Sequence, residues 1–315
     1  MSFRFVTLCL FLVSACAAPL VQDAGRVGPS VLEQIEDARD VTVAADDGVL
    51  LRGVFVDAGG DAPVVLHLLP SGASVETGVP AGIGRIGLAT TIEALRGVGW
   101  SSLVLDHRGV GRSDGRRGTE HLLEDGRVMW REAVRRAGEV ERRVVVRAGS
   151  LGTLIVADLL AAEPAADRAH PGGVVLFAPV RASTIVRNSV RAHRSGLSAW
   201  WASTFYSKPA APLLEDAVRA TEVPLLVLLP ESDVYLPAEE AALVRDAAVQ
   251  AGQEVIELPG DHQTVILRAW GFEVDESSFS GRRVDELLPV EERFLGRVDL
   301  VTGGPSSGRS PLMSR

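Results

Sequence analysis

The strongest constraint on what this chain can fold into is a series of short, unbroken apolar runs. "APVVLHLLP" (62–70), "SSLVLD" (101–106), "RRVVVRA" (142–148), "GGVVLFAP" (172–179) and "VPLLVLLP" (223–230) are each bounded by turn-forming or polar residues. A strand with one wet face alternates apolar and polar residues, whereas a run without alternation expects cover on both faces. Between the runs, 87–100, 120–138, 151–164 and 237–252 carry helical spacing, and "QEVIELP" (253–259) reads as a last strand. Strands alternating with helices in this way predict an α/β protein with a mostly parallel central sheet and helices on both faces. Ahead of it, "VTVAADDGVLLRGVFVDA" (41–58) sets Asp47-Gly48 between two β-rich runs and predicts an antiparallel hairpin. Ligands of such sheets bind beyond the carboxyl ends of the strands, so the residues just after each run decide the chemistry.

Composition excludes some partners. The chain has 315 residues, 46% of them apolar and 23% charged, which is enough apolar material for a sizeable core. The net charge is -9, and Lys208 is the single lysine among arginines scattered between acidic residues. Nucleic acid is therefore not an expected partner, because phosphate binding needs a clustered positive face. Both cysteines, Cys9 and Cys16, fall in the first sixteen residues, so the folded body carries no disulfide and no thiolate metal site.

That leading stretch, "MSFRFVTLCLFLVSACAAP", has Arg4, then an apolar segment Phe5–Val13 too short to span a bilayer, then small residues before Cys16. The layout is that of a secretory signal. Its end resembles the bacterial lipobox, which implies a signal peptide at 1–15 and lipidation of Cys16; a plain cleaved signal is the alternative. Ala17 after the cysteine resembles the outer-membrane class of lipoproteins. The expected location is the bacterial cell envelope, with the membrane reached through an N-terminal lipid anchor, or a secreted form. Residues 16–40 read as a tether with a short helix at Val31–Ala38, and 301–315 as disordered by composition.

The residues beyond the strands form a pattern. Ser71-Gly72 follow the first run, "DHRGVGRSDG" (106–115) the second, and Ala148-Gly149-Ser150-Leu151-Gly152 the third. Asp233 follows the fifth run, and His262 lies in the loop "PGDHQTVI" (259–266) after the last strand. Small residues around Ser150 permit a sharp strand-to-helix turn. Acyl transfer needs this set: a serine hydroxyl becomes a nucleophile when a histidine takes its proton, and an acid fixes the histidine tautomer. A competing motif, Gly82-Ile83-Gly84-Arg85-Ile86-Gly87 with Asp106 further on, has the written form of a dinucleotide fingerprint. It lacks the required context, because a long loop separates the preceding strand from the first glycine. No cofactor and no metal are expected.

Residues 41–300 resemble the α/β-hydrolase superfamily, which places the nucleophilic serine, the acid and the histidine in this order. "GWSSLVLDHRGVGRSDG" (99–115) and "VPLLVLLPESDVYLP" (223–237) are similar to motifs of its serine aminopeptidase and monoacylglycerol-lipase-like branch. The resemblance implies an α/β-hydrolase fold with Ser150 as nucleophile, Asp233 as orienting acid and His262 as base. It also implies the Leu151 backbone N–H as an oxyanion donor, and makes Asp106, Arg108, Gly109, Gly111 and Ser113 a structural loop. The implied activity is hydrolysis of carboxylic esters or related small acyl compounds through an acyl-enzyme. The departures are Ala148 for the first elbow glycine, Gly149 where the branch carries a bulky residue, and Pro230-Glu231 for a glycine turn. "HLLPSGAS" stands where the branch has His-Gly, which leaves Ser71 or Gly72 as the second oxyanion donor. A catalytically inactive relative that binds a ligand or envelope partner is the alternative these departures raise.

The interval of about 180–222 is too long for a simple connection and is expected to hold a helical cap. It contains Trp200, Trp201, Phe205 and Tyr206, which either pack the cap onto the body or form an acyl-binding wall. Duller roles are expected elsewhere: His67 as a strand residue, His107, His121, His170 and His193 as surface or loop residues, and Glu239-Glu240 as a solvated helix face. Asp261, beside His262, is the weaker candidate for the acid.

Overall fold

The computed structural model describes residues 31–75, 88–161, 170–188, 211–269 and 287–298. Eight strands form one sheet: β1 (Arg39–Ala44), β2 (Leu50–Val56), β3 (Val64–Leu68), β4 (Ser101–Leu105), β5 (Val144–Gly149), β6 (Gly173–Phe177), β7 (Leu225–Pro230) and β8 (Glu254–Leu258). The order across the sheet is β1-β2-β4-β3-β5-β6-β7-β8. The expected hairpin is present, with β1 antiparallel to β2 and Gly48 at φ 85 in its turn. β2 also runs antiparallel to β4, and every later pairing is parallel.

The helices are α1 (Val31–Gln34), α2 (Leu88–Gly97), α3 (Leu122–Arg136), α4 (Gly152–Ala161), α5 (Leu214–Ala220), α6 (Ala238–Gln250), α7 (His262–Ala269) and α8 (Leu287–Leu295). They cover the sheet in two layers, which is why the strands carry no polar alternation. Val64, Leu66 and Leu68 of β3 pack into one core with residues of α3, α4, α5 and α6. Val65 of the same strand packs into the other core with residues of α2, α7 and α8. Successive side chains on a strand point to opposite faces, so both layers draw on the same run. β8, at the edge, is only half-buried, consistent with its two glutamates.

The strand order reverses at β3, whose neighbours are β4 on one side and β5 on the other. Such a reversal leaves a crevice beyond the carboxyl ends of the two central strands. Leu68 is in register with Ala148, so the turn after β3 and the turn after β5 open side by side. The expected mostly parallel sheet with helices on both faces is therefore observed. Of the expected cap, residues 189–210 lie outside the described residues, as do 1–30, including Cys16, and the C-terminal tail.

Candidate active site

Ser150 sits between β5 and α4 with φ 46, a left-handed conformation that costs a non-glycine residue about 1–2 kcal/mol. Several contacts hold it there. Its N–H donates to the Phe177 carbonyl (3.2 Å), and its own carbonyl accepts from both the N–H (3.0 Å) and the hydroxyl (2.6 Å) of Thr153. The small residues seen in the sequence have specific reasons. A Cβ on Gly152 would come within 2.4 Å of the Leu68 carbonyl oxygen, so glycine lets α4 start against β3. A Cβ on Gly149 would meet the Phe177 ring at 2.2 Å. Phe177 thus fills the space beside the elbow, which accounts for glycine where the resembling branch has a bulky residue.

The residues expected as acid and base follow β7 and β8. Asp233 follows β7, and its Oδ1 accepts the N–H groups of Tyr235 (2.7 Å) and Leu236 (3.1 Å). Its Oδ2 accepts from His262 Nδ1 at 2.6 Å, and the Ser150 hydroxyl donates to His262 Nε2 at 2.9 Å. Ser150 and His262 are buried, at 8% and 6% exposure, so the contacts form with little competition from water. His262 is the first residue of α7 rather than a loop residue. Asp261 explains why: its Oδ1 accepts the N–H (2.9 Å) and hydroxyl (2.7 Å) of Thr264, as a helix N-cap does. That carboxylate is committed to the helix, which separates it from Asp233. The Tyr235 ring lies 4.7 Å from the His262 ring, tilted by 59°, and restrains the imidazole from one side.

Leu151, after the serine, is buried in the first turn of the elbow, where amides find no carbonyl inside a helix. The other candidate donors, Ser71 and Gly72, lie on the turn after β3, with Gly72 at φ 84. The tip of β4 holds both ends of this turn. Asp106 Oδ1 accepts the Val75 N–H at 2.7 Å, and His107 Nε2 donates to the Leu69 carbonyl at 2.9 Å. Burial pushes the His107 imidazole below its ordinary 6.5, so it is neutral and Nε2 carries the proton. His107 is therefore a loop residue, as one of the two expected readings had it, but a buried structural one and not a surface one. The rest of the loop behaves as expected: Arg108 bridges Asp125 and Asp47, and Ser113 Oγ donates to the Asp106 carbonyl.

A second correction concerns Glu240, expected on a solvated face. It is 4% exposed and accepts from Arg187, Asn188 and Thr184, while Asn188 also donates to the Tyr235 carbonyl. The chain entering the cap interval is thereby tied to α6 and to the loop of Asp233. A glutamate in a helix gives no sequence signal of partners some fifty residues away. His67 is a buried strand residue as expected, and His121 is half-buried, with Nδ1 against Glu124. Trp200, Trp201, Phe205, Tyr206, His193 and the 82–87 glycine motif lie outside the described residues. Among the described residues, no cluster of three metal-ligating side chains occurs and no helix is long and apolar enough to cross a membrane.

Comparison with known proteins bears on the fold. The profile of a family described as serine aminopeptidase, S33, matches residues 86–211, which include Ser150 and end before Asp233 and His262. An esterase of Pyrococcus furiosus is 18% identical with a TM-score of 0.63, covering 88% of this chain and 99% of its own. An alpha-beta hydrolase from Vibrio vulnificus is 21% identical with a TM-score of 0.59, covering 84% of this chain and 90% of its own. An acylaminoacyl peptidase of Pyrococcus horikoshii is 13% identical with a TM-score of 0.54, covering 87% of this chain and 43% of its own. No curated protein sequence matches the chain significantly. The chain has the α/β-hydrolase fold.

Proposed function

We propose that this protein is a serine hydrolase acting on carboxylic esters or related acyl compounds. The observation that carries the reading is the unbroken chain of hydrogen bonds from Asp233 through His262 to Ser150. Ser150 Oγ attacks the acyl carbon while His262 Nε2 takes its proton, and Asp233 stabilises the imidazolium through Nδ1–H. The oxyanion lies against the Leu151 N–H and an N–H of the Ser71-Gly72 turn, whose fixed position needs no reorganisation during the reaction. His262 then returns the proton to the leaving group, and water, activated by the same histidine, hydrolyses the acyl-enzyme. The esterase and peptidase names among structures of the same fold make an ester the first substrate to test, with amides second.

A fluorophosphonate probe, which mimics the tetrahedral intermediate, tests the reading. Ser150 is expected to be the labelled residue, with labelling abolished by Ser150→Ala and severely reduced by His262→Ala. A folded wild type that resists the probe and leaves p-nitrophenyl esters intact would refute it. The proposal extends to location: lipidation at Cys16 tethers this hydrolase to the cell envelope, facing acyl substrates there.

A further inference from the structure

A charged side chain lies inside the layer that carries the histidine. Arg147 belongs to β5, three residues before Ser150, and points to the same side as Val145. It is 2% exposed. Its Nε and Nη2 donate to the two carboxylate oxygens of Glu291 on α8, at 2.9 and 3.0 Å. Nη2 also donates to the carbonyl of Ala269, the last residue of α7. The guanidinium lies 4.8 Å from the centroid of Phe177, the ring that fills the space at Gly149. One side chain thus joins the strand of the elbow, the end of the histidine helix and α8.

Burying an ion pair is not an efficient source of stability, because desolvation offsets most of the attraction. Apolar residues of equal volume would serve a core better. Arg147 supplies what they lack, namely a directed bond to a specific helix end. α7 has only eight residues, too few for a helix to persist unaided in water. Asp261 caps its first turn and Arg147 caps its last, where a positive charge also complements the helix dipole. His262 sits at the first of these ends. A shift of α7 along its axis would carry the imbidazole off the 2.9 Å contact with Ser150, and misplacement by about 1 Å can cost on the order of a hundredfold in rate.

We propose that Arg147 is a positioning residue: held by Glu291, it fixes the C-terminal end of α7 and so sets the distance of His262 from Ser150. The inference rests on the proposed hydrolase reading for its catalytic part. Removing Arg147 alone strands Glu291 in the core, so the informative variant is Arg147→Met/Glu291→Leu, which removes both charges at similar volume. Arg147→Lys is the second, keeping the charge but losing the fork that reaches both Glu291 and Ala269.

Wild type and both variants are compared by thermal melting, by steady-state hydrolysis of a p-nitrophenyl ester, and by amide hydrogen exchange. The expected result is a double variant that melts at or above the wild-type temperature, with kcat reduced at least tenfold and KM within about twofold. Exchange at residues 263–269 should quicken at least tenfold while that of β5 is unchanged. A purely structural pair would show the opposite, a melting change with kcat intact. A folded double variant with wild-type kcat and wild-type exchange in α7 overturns the proposal. Should the double variant fail to fold, unchanged kcat and α7 exchange in Arg147→Lys overturns it instead. An inactive wild type refutes the hydrolase reading and with it the catalytic part of the proposal. The exchange pattern then decides whether Arg147 fixes α7.

Discussion

Gly149→Ala tests how the elbow is packed. The added methyl would lie 2.2, 2.7 and 2.9 Å from Cε2, Cζ and Cδ2 of Phe177, all well inside van der Waals contact. The ring is fully buried and has the Arg147 guanidinium nearby, so it cannot rotate into empty space. Overpacking of this kind costs about 1–3 kcal/mol. Replacing glycine within a strand returns roughly 0.5–1 kcal/mol of backbone entropy, which is the smaller effect. The expected net loss is about 1–2 kcal/mol, a fall in melting temperature of roughly 2–8 °C for a domain of this size. Phe177→Leu relieves the clash while costing about 1 kcal/mol of its own packing. The double variant should therefore be more stable than the sum of the single effects, by at least about 1 kcal/mol. Chemical denaturation of the four proteins measures the coupling. A Gly149→Ala protein as stable as wild type, or single effects that add within about 0.4 kcal/mol, would refute the reasoning.

The two neighbouring acids should separate cleanly: Asp233→Asn lowers kcat by on the order of a thousandfold or more by favouring the wrong imidazole tautomer, whereas Asp261→Ala costs about 1 kcal/mol of stability through the lost N-cap. Equal kinetic effects of the two would contradict the assignment. Burial, with the charge of Arg147, holds His67 well below its ordinary 6.5, and burial lowers His107 too. Below pH 6.5 the unfolded chain takes up protons that the native state refuses, so stability should fall as pH drops from about 7.5 to 5.5, by up to ~1.4 kcal/mol per unit for each histidine. His67→Gln should flatten that slope, and denaturant midpoints across the range would expose an unchanged one. Cys16→Ser should shift the protein from the detergent phase to the aqueous phase, and a wild type already in the aqueous phase would exclude lipidation.

The sheet was legible because its signal is local. A run such as Val144-Val145-Val146 has no polar alternation, and both faces of β5 are covered. The position of Ser150, Asp233 and His262 beyond their strands could be read for the same reason, since each follows a recognisable strand. What escaped depends on partners far along the chain. Arg147 interrupts a strand and finds Glu291 at a separation of 144 residues. His107 looks like any loop histidine until the turn after β3 folds onto it, and Glu240 until the chain at 184–188 crosses α6. Buried polar groups are specified by tertiary pairing, and periodicity carries no record of it. Gly149 is a visible departure in the sequence, but its reason lies in Phe177, on the neighbouring strand.

The left-handed backbone at Ser150 bears on how such a chain evolves. A serine at φ 46 gives up about 1–2 kcal/mol that glycine would not, against roughly 0.5–1 kcal/mol of extra unfolded-state entropy that glycine brings. The strain is the larger quantity, so Ser150→Gly moves downhill in folding free energy while deleting the hydroxyl. Selection for stability alone would empty this position of its functional group. On the proposed hydrolase reading, a lineage freed from the need for acyl chemistry would drift toward glycine here, with the fold intact and slightly stronger. On the same reading, serine at the elbow is a trade-off in which a fraction of the domain's stability is given up for the orientation of a single oxygen atom.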